Sequence, residues 1–308
     1  MIDEHLRQFE EQRTHLIGIA YRMLGEMSAA EDVAQEAWLR WHKADGDDIA
    51  DPRAWLSAVT VRLSLDALRK AKARRETYVG PWLPEPLLPD DTRALAADAP
   101  AARAELASDL SFALMLVLER LTPEERAALI LHDAFDCDYA TISQALERNE
   151  AACRKLVSRA RARVKAERPR RAVAPEQHRA LLSRFVAAAA SNDPARIAAL
   201  LADDVVLYSD GGGKAAAALR PILGADKVIR FALGIMRKFT PTDGFRIDAT
   251  EINGTPGLLL RAADELHSAL TVEFDSDRVC AIYLVRNPDK LKRFAAMSTV
   301  RPATTMPP

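Results

Sequence analysis

Along residues 51–75, apolar and polar positions separate onto different faces of one predicted helix. The apolar positions recur every three or four residues and predict a stripe that faces a core. This stripe consists of Leu56, Val59, Leu63 and Ala67. Another face carries one aromatic residue and four charged residues at similar spacing: Trp55, Arg62, Asp66, Arg69 and Lys72. Such a face suits opened DNA, whose bases stack on rings while its phosphates pair with cations. The alternative is a solvated helix face with one half-buried Trp.

A second helical pattern precedes this one. Residues 16–25 have the apolar density of a buried helix, and in Ala30–Trp38 a core stripe alternates with an outward acidic cluster. The stripe is Val33, Ala37 and Trp41, and Ser28 is the predicted N-cap. The acidic cluster is Asp32, Gln35 and Glu36. Together with residues 51–75, these segments predict a compact all-α bundle with an acidic edge and a basic, aromatic edge.

Residues 121–165 predict a helix-turn-helix. The tetrapeptide TPEE at 122–125 is a strong helix start, with an N-cap, a first-turn proline and acids near the positive end of the helix dipole. A short helix at Tyr139–Leu146 is followed by a polar break at 147–149 and a long helix from about Glu150. Every fourth residue of the long helix faces the core: Ala152, Leu156, Ala160 and Val164. Its outer face is mostly basic: Arg154, Lys155, Ser158, Arg159, Arg161 and Arg163. This order is typical of major-groove entry, although an ordinary helical hairpin shows the same pattern.

The C-terminal part of the chain has a mixed pattern. Helices are predicted at His178–Ser191, Asp193–Leu201 and Ala225–Lys238. Strands are predicted at Val205–Ser209, Phe245–Ile252, Gly257–Arg261, Ala269–Phe274 and Arg278–Arg286. Helices packed on a curved, mostly antiparallel sheet make an α+β cone. The run Asp210, Gly211, Gly212, Gly213 and Lys214 lacks the ending of a nucleotide-binding P-loop, so it predicts a tight loop with positive φ.

Composition limits the function classes. The chain has 308 residues, enough for two or three domains, and a net charge of −1, so it has no global basic field. Cations concentrate in residues 69–75 and 148–171. The three Cys form no CxxC and the six His show no ligand spacing, so we expect no disulfide, metal or cofactor, and a reduced, cytoplasmic setting. No apolar run is long enough to span a bilayer, so no membrane partner is expected.

Two linkers separate these parts. Residues 80–100 carry five prolines and few helical repeats, which predicts an extended, stiff segment. Within it, Trp82 and Leu83 stand between prolines, where a contact costs little conformational entropy. Residues 167–175 form a short basic break, and the tail after Met297 is expected to be disordered.

These motifs resemble a known family. The segment AEDVAQEAW at Ala30–Trp38, the segment PRAWL at Pro52–Leu56, and residues 121–163 resemble regions 2 and 4 of extracytoplasmic-function (ECF) sigma factors, in the correct order. The resemblance implies two all-α sigma domains. These are a region 2 bundle at 1–78 and a region 4 helix-turn-helix at 108–168, joined by a linker at 79–107.

For an ECF sigma factor, the resemblance implies binding to the RNA polymerase core and to promoter DNA. The acidic cluster Asp32, Gln35 and Glu36 would dock on the clamp helices of the β′ subunit, and region 4 on the β flap. The −10 element would be opened and read by the loop before residue 51 and by Trp55, Arg62, Asp66, Arg69 and Lys72. The −35 element would be read by Glu150, Arg154, Lys155, Ser158, Arg159 and Arg161. The chain departs from many such factors at Arg62, where Asn is common, and at Glu147, where the turn often has Gly.

Residues 177–296 resemble the SnoaL-like branch of the nuclear-transport-factor-2-like fold, after a linker at 169–176 and before a flexible tail at 297–308. With PWLPEP at 81–86, DGGGK at 210–214 and NPDKL at 287–291, the whole chain resembles the sigma-factor subgroup that carries this domain. We predict that the domain controls the sigma domains of the same molecule, in place of or in addition to a separate anti-sigma factor. The residues predicted to take part are Trp82, Leu83, Pro84, Asp210, Gly211, Gly212, Gly213, Lys214, Asn287, Pro288 and Asp289.

Other interpretations of the C-terminal domain stay open. The polar residues that could line a pocket in it are Tyr208, Asp210, Lys214, His267, Glu273 and Tyr283. The domain could therefore be a SnoaL-like isomerase or cyclase tethered to a DNA-binding domain, or a sensor of an unknown small ligand. A third interpretation is a stand-alone helix-turn-helix regulator that never contacts polymerase. The acidic cluster together with the Trp55 face favours the sigma factor.

Overall fold

The structure, a computed structural model, describes residues 2–44, 49–75, 77–97, 110–167, 173–236, 245–263 and 265–297. It divides into two compact units: Met1–Thr77 with Asp90–Arg168, and Tyr78–Pro89 with Pro169–Pro308. The first unit contains both predicted sigma regions, and the second contains the predicted α+β domain. The segment Tyr78–Pro89 joins the two sigma regions along the chain, yet it belongs to the second unit.

Three helices form the N-terminal part of the first unit: α1 (Ile2–Leu24), α2 (Met27–Lys43) and α3 (Pro52–Arg75). The predicted core stripe of α2 is confirmed, because Val33, Ala37 and Trp41 are all buried. The second half of α1 is also buried, as its apolar density predicts. These three helices therefore close on one another around the aromatic and aliphatic side chains of α1 and α2.

Two local predictions for these helices are wrong. Helix α2 begins one residue before Ser28, and Glu26 occupies the capping position without a side-chain capping bond. The buried side of α3 is wider than the predicted stripe, of which Leu63 and Ala67 are only half-buried. The further buried positions are Ser57, Thr60, Val61, Ser64, Leu65 and Leu68. The reason is that α3 packs on α1 and α2 and also on the C-terminal helices of the same unit.

The C-terminal part of the first unit is also helical: α4 (Pro89–Ala97), α5 (Phe112–Glu119), α6 (Pro123–Leu129), α7 (Tyr139–Leu146) and α8 (Glu150–Glu167). A π-helical turn, Ile130–Ala134, continues α6. The predicted start of α6 is confirmed as a capping box, in which Thr122 Oγ1 accepts from Glu125 N at 3.2 Å. Helix α4 lies in the segment predicted to be extended, so that prediction holds only for the residues before Pro89.

Helices α7 and α8 form the predicted helix-turn-helix. Between them Glu147 adopts the left-handed conformation (φ 54°, ψ 43°), so the turn keeps the geometry that glycine would favour. In α8 the buried face is Cys153, Leu156, Val157, Ala160 and Val164, and Ala152 is half-buried. The predicted division of α8 into a core face and a basic outer face is therefore confirmed. At its first turn the fully buried residue is Cys153 rather than the predicted Ala152.

Buried polar contacts join the two helical parts of the first unit. Arg126 on α6 is almost fully buried, and its Nη1 donates both to the Met23 carbonyl at the end of α1 and to Glu119 Oε1, each at 2.6 Å. The His15 ring on α1 meets Phe135 edge to face, with ring centroids 4.6 Å apart. Charge-assisted bonds of this kind are strong and directional, so they specify how the two parts pack.

The second unit is an α+β domain with a six-stranded mixed sheet. Its helices are α9 (Pro175–Ala190), α10 (Pro194–Ala198), α11 (Ala225–Met236) and α12 (Pro288–Met297). Its strands are β1 (Leu201–Asp210), β2 (Ile222–Leu223), β3 (Arg246–Ile252), β4 (Thr255–Ala262), β5 (Glu265–Asp275) and β6 (Arg278–Val285), in the order β2-β1-β6-β5-β4-β3. The β1–β6 pair is parallel and the other pairs are antiparallel. The predicted fold class is confirmed.

The short strand β2 was not predicted, and the second unit differs from its predicted elements at two further places. The helix predicted at Asp193–Leu201 is shorter, because Leu201 already pairs with Val279 in the sheet. The segment NPDKL at 287–291, for which no helix was predicted, is the start of α12, where Asn287 Oδ1 accepts from Asp289 N at 3.0 Å. The side chain of Lys72, the linker residues 98–107 and 169–172, and the tail 298–308 lie outside the described residues.

Candidate nucleic-acid and protein interfaces

The acidic cluster on α2 is exposed as predicted. Asp32, Gln35 and Glu36 all face solvent, and Glu36 pairs with Arg40 at 3.3 Å. Leu39, which the sequence analysis missed, lies on the same face and keeps 45% of its surface exposed. Its helical spacing from Asp32 and Glu36 was the available signal. An exposed leucine beside carboxylates makes this face suited to a protein partner rather than to DNA.

Trp55 on α3 is half-buried rather than fully exposed. Its ring lies 5.5 Å from that of Trp41, centroid to centroid, and it packs on a core cluster that includes Phe9 and Leu56. One portion of the ring therefore belongs to the core and the rest is accessible, and its role in reading the −10 element stays a prediction.

The structure gives Arg62 a partner inside the protein. Its Nη2 donates to the Gln144 carbonyl at 2.6 Å and its Nε donates to the Ala145 carbonyl at 3.3 Å, at the C-terminal end of α7. Glu147 Oε1 lies 3.7 Å from the same guanidinium. A cation at a helix C-terminus is favourable, because the last carbonyls of the helix lack partners. These contacts occupy Nε and Nη2 of Arg62, while 45% of the side chain stays exposed.

Two further predicted −10 residues, Asp66 and Arg69, lie on the outer face of α3. Asp66 and Arg69 are exposed and pair with each other at 2.8 Å. An exposed ion pair of this spacing contributes little stability, so both side chains are available to another partner.

The start of α8 carries an exposed group suited to base edges. Arg154 Nη2 pairs with Glu150 Oε2 at 2.6 Å, and its guanidinium carbon lies 4.9 Å from the Tyr139 ring centroid on α7. This arrangement holds the guanidinium in a defined position at the helix surface. Lys155 and Ser158 are exposed on the same helix.

The later arginines of α8 are tied to acids of the preceding helices. Arg159 Nε and Arg163 Nη1 each lie 3.1 Å from a carboxylate oxygen of Glu125, which is buried. Arg161 Nε lies 2.8 Å from Asp133 Oδ2, and this bond raises the pKa of the Arg161 guanidinium. Each of these cations remains about half-exposed, so the outer face of α8 is basic and fixed in shape.

The second unit binds the linker segment Tyr78–Pro89 through one buried carboxylate. Asp210, at the end of β1, is fully buried. Its Oδ1 accepts from the Tyr78 hydroxyl at 2.5 Å, and its Oδ2 accepts from the Leu83 main-chain N–H at 2.9 Å. Lys290 Nζ lies 2.8 Å from Oδ2. A buried carboxylate is costly unless it is paired and hydrogen-bonded, and the linker supplies two of its donors.

Lys290 on α12 completes this site. Besides Asp210, its ammonium group donates to the Leu83 carbonyl and lies 4.3 Å from the Trp82 ring centroid, a cation–π distance. Leu83 is fully buried and Pro84 is buried. Lys214 of the glycine loop pairs with Asp289, which lowers the pKa of that carboxyl. The structure thus brings the linker, the glycine loop and the start of α12 together.

The glycine loop requires glycine at two positions. Gly212 has φ +59°, and a Cβ there would lie 2.2 Å from Asn287 Nδ2. A Cβ on Gly211 would lie 2.2 Å from the Ala215 carbonyl oxygen. Asn287 Nδ2 itself donates to the Tyr78 hydroxyl at 3.0 Å. Because Gly212 has no Cβ, Asn287 can lie against the loop and still make this contact with the linker segment.

Three linker contacts were missed by the sequence analysis. They involve Tyr78, Lys290, and a pair of bonds between Leu87 and Asn253. The Leu87 N–H donates to Asn253 Oδ1 at 2.8 Å, and Asn253 N donates back to the Leu87 carbonyl at 3.3 Å. For Lys290 the signal was its place inside NPDKL. For Asn253 it was the pair Asn253-Gly254, a turn signature between two strands.

The polar residues considered as pocket-lining lie outside the apolar cavity of the second unit. Asp210 and Lys214 serve the linker site, and Tyr208 stacks on Tyr283 with ring centroids 5.7 Å apart. The apolar cavity between the helices and the sheet is lined by none of the six. Within the described ranges, His, Cys, Asp and Glu nowhere gather in a group of three suited to a metal ion. Nor does any helix in those ranges combine the length and apolarity needed to cross a membrane.

Comparisons with known proteins agree with the two helical regions. The Sigma-70 region 2 family matches residues 9–74, and the Sigma-70 region 4 family matches residues 111–164. The ECF RNA polymerase sigma factor SigJ of Mycobacterium tuberculosis is 42% identical over 293 residues, 92% of each chain. The crystal structure of M. tuberculosis SigJ has a TM-score of 0.73 at 38% identity, covering 93% of this chain and 98% of that one. The probable ECF sigma factor SigI of that organism is 36% identical over 59% of this chain and 61% of its own length.

Regions 2 and 4 on one chain define a sigma factor of the sigma-70 class. The chain belongs to the ECF sigma factor family. Sigma factors bind the RNA polymerase core and promoter DNA, and they are transcription factors rather than enzymes. The predicted family is therefore confirmed, and the interpretations as a tethered isomerase or cyclase and as a stand-alone regulator are wrong.

Proposed function

We propose that this sigma factor directs polymerase to promoters with −35 and −10 elements through α8 and α3. The exposed acidic cluster on α2, together with Leu39, docks on the clamp helices of the β′ subunit, and region 4 docks on the β flap. The α3 helix and the loop before it open and read the −10 element. The start of α8 reads the −35 element. Support comes from the exposure of these faces and from the fixed position of Arg154 between Glu150 and Tyr139.

Base preference tests the assignment on α8. Arg can bond guanine in a paired manner, worth about 1–3 kcal/mol of discrimination, whereas phosphate contacts carry no sequence information. We expect Arg154→Ala to relax base preference in a randomised −35 library, and Arg161→Ala to weaken all promoters alike. The reverse result would mean that α8 enters the groove on another face.

We also propose that the C-terminal unit controls the sigma regions by binding the linker between them. The observation that carries this proposal is the buried Asp210 with its two linker donors, Tyr78 and Leu83. The linker is the chain connection between region 2 and region 4, so a unit that binds it restrains how the two regions separate. The restraint acts in place of, or in addition to, a separate anti-sigma factor.

The magnitudes are sufficient for control within one molecule. A 99:1 preference for the bound linker needs about 2.7 kcal/mol. Hydrogen bonds to a charged group contribute about 1.5–3 kcal/mol each. The two linker bonds to Asp210 therefore reach this range, and polymerase binding can overcome it.

The test compares Asp210→Asn with Asp204→Asn, an exposed residue on the same strand. Asn replaces one of the two acceptor oxygens with a donor NH2 group and removes the charge that pairs with Lys290, so we expect the linker to be released. Transcription from a target promoter, over a range of core polymerase concentrations, should then change at least threefold relative to wild type, whereas Asp204→Asn should match wild type. Equal transcription by all three folded proteins would contradict control through the linker.

A further inference from the structure

The second unit contains a cavity to which none of the functions above assigns a role. It has a volume of about 90 Å³ and lies between helices α9 and α11 and one face of the sheet. Apolar side chains from both layers line it, among them Phe185, Leu207, Phe231, Leu258 and Leu284. The cavity is only partly enclosed, so a small molecule can enter it from solvent.

The polar groups of the lining are turned away from the cavity. They belong to Ser268 and Arg286. Arg286 Nη1 donates to the Ala216 carbonyl, and burial lowers the pKa of this guanidinium. The arginine therefore presents its aliphatic part to the cavity. A charged ligand would lose its hydration without gaining a partner there, whereas a neutral apolar ligand would exchange water for apolar contacts.

The cavity wall is continuous with the strands that carry the linker site. Leu207 lies on β1, three residues before Asp210, and Leu284 pairs with Ser209 across β1 and β6. The main-chain N–H of Arg286, next to Asn287, donates to the Asp210 carbonyl at 2.7 Å. A ligand that packs on β1 and β6 therefore favours the strand arrangement that positions Asp210.

We propose that this cavity binds a small, neutral, apolar molecule of about one ring, and that its occupancy stabilises linker binding at Asp210. An apolar cavity of about 150 Å³ in another protein stays dry and binds benzene, so a cavity of about 90 Å³ has room for one ring at most. The effect of the ligand on the linker rests on the proposed control through Asp210. Binding of the ligand in the cavity does not depend on that control.

Direct binding to the full chain tests the first part. The probes are fluorobenzene and, as its anionic counterpart, 4-fluorobenzoate, each followed by ¹⁹F NMR. We expect fluorobenzene to bind at least tenfold more tightly than 4-fluorobenzoate. Ala232→Leu on α11 and Ala189→Leu on α9 each fill the cavity from a different helix, so each should weaken fluorobenzene binding at least tenfold. Gly234→Ala adds a methyl group to α11 where no atom lies within 4 Å, so it should bind like wild type.

Failure to bind fluorobenzene, or equal binding by both filled variants and wild type, would overturn the site. If the protein forms a dimer that dissociates when fluorobenzene is added, a side chain of a second copy fills the cavity in the absence of the probe. That result would also overturn the proposed ligand site.

Amide hydrogen exchange tests the proposed effect on linker binding, since the Leu83 and Leu87 N–H groups bond to Asp210 and Asn253. Fluorobenzene should slow their exchange at least threefold. Binding without slower exchange would overturn the link, while the effect of Asp210→Asn on transcription would stand independently.

Discussion

At the scale of single residues, Glu125 holds two arginines of the basic face of α8 in position. Its buried carboxylate pairs with Arg159 and Arg163, and it also accepts from the Thr122 N–H at 3.1 Å. Its neighbour Glu124 is half-buried, with 40% of its side chain exposed, and it pairs with Arg148 at 2.9 Å. Glu125 therefore pairs with two arginines and takes part in the capping box of α6. Glu124 is a suitable control residue because it is the adjacent acid.

We expect Glu125→Gln to lower the free energy of unfolding of the first unit by about 1–3 kcal/mol, because two guanidinium groups lose a charged acceptor. Glu124→Gln should cost less than about 0.5 kcal/mol, as is usual for an exposed pair. Urea denaturation followed by circular dichroism measures both. Similar losses in the two variants would mean that Glu125 does not organise the face.

His178 on α9 makes the second unit sensitive to acid. Its Nε2–H donates to the Val272 carbonyl at 2.8 Å, and burial lowers its pKa below the ordinary value of 6.5. The unfolded chain then binds the proton more readily, so stability falls as the pH decreases below about 6.5. We expect the melting temperature of the second unit to fall between about pH 7.5 and about pH 5.5.

A His178→Gln variant should lose most of that pH dependence, because glutamine can still donate to the Val272 carbonyl but does not titrate. His267→Gln, which changes a half-buried histidine of the same unit, should keep it. Differential scanning calorimetry at both pH values decides between them. An unchanged pH dependence in His178→Gln would assign the acid sensitivity to other groups.

At the scale of elements, α3 contacts α7 through a side chain that the sequence assigned to DNA. Arg62 donates to the last carbonyls of α7, and Arg126 donates to the end of α1. The first of these side chains is half-exposed and the second is buried. The Arg62 contact is therefore the one that can open without exposing a buried charge.

We expect Arg62→Ala to weaken packing between the two parts of the first unit by about 1–2 kcal/mol and to leave each part folded. Hydrogen exchange should then rise at the C-terminal end of α7, near residues 144–147. Arg69→Ala, on the same face of α3 and one more helical repeat away, should leave that exchange unchanged. If the variant also opens promoters faster when permanganate footprinting is used, its contact with α7 competes with its role at the −10 element.

The element scale also shows which predictions the sequence could support. The stripe of α2, the capping box of α6 and the break before α8 depend on short-range spacing, and the sequence alone predicted them. The width of the buried face of α3 depends on α7, more than 60 residues away along the chain, so no local pattern reveals it. The same holds for Asn253, whose partner Leu87 lies 166 residues earlier. The start of α12 was missed because Asn-Pro reads as a turn when its hydrogen bond to Asp289 N is not visible.

At the scale of the whole molecule, the expected effect of the C-terminal unit is tested by truncation. One chain ends at Ala174 and removes most of the second unit, and another ends just before Asn287 and removes Lys290 with α12. Because both lose the Lys290 contact with Asp210 and Leu83, both should differ from full length in transcription from one promoter. Circular dichroism must show that each chain keeps its helices. Equal activity of all three proteins across core polymerase concentrations would contradict the proposed control.

The linker contact also has a consequence for the order in which the protein becomes active during synthesis. Leu83 and Lys290 are separated by 207 positions, so the linker leaves the ribosome long before its last partner. At roughly 5–20 residues per second, this interval lasts about 10–40 s. Region 2 has emerged before this interval and region 4 emerges within it, while the segment between them still lacks its contacts with α12. Under the proposed control, each new molecule therefore passes through a period in which its sigma regions exist without the restraint, and a chain that ends before Asn287 never leaves that period.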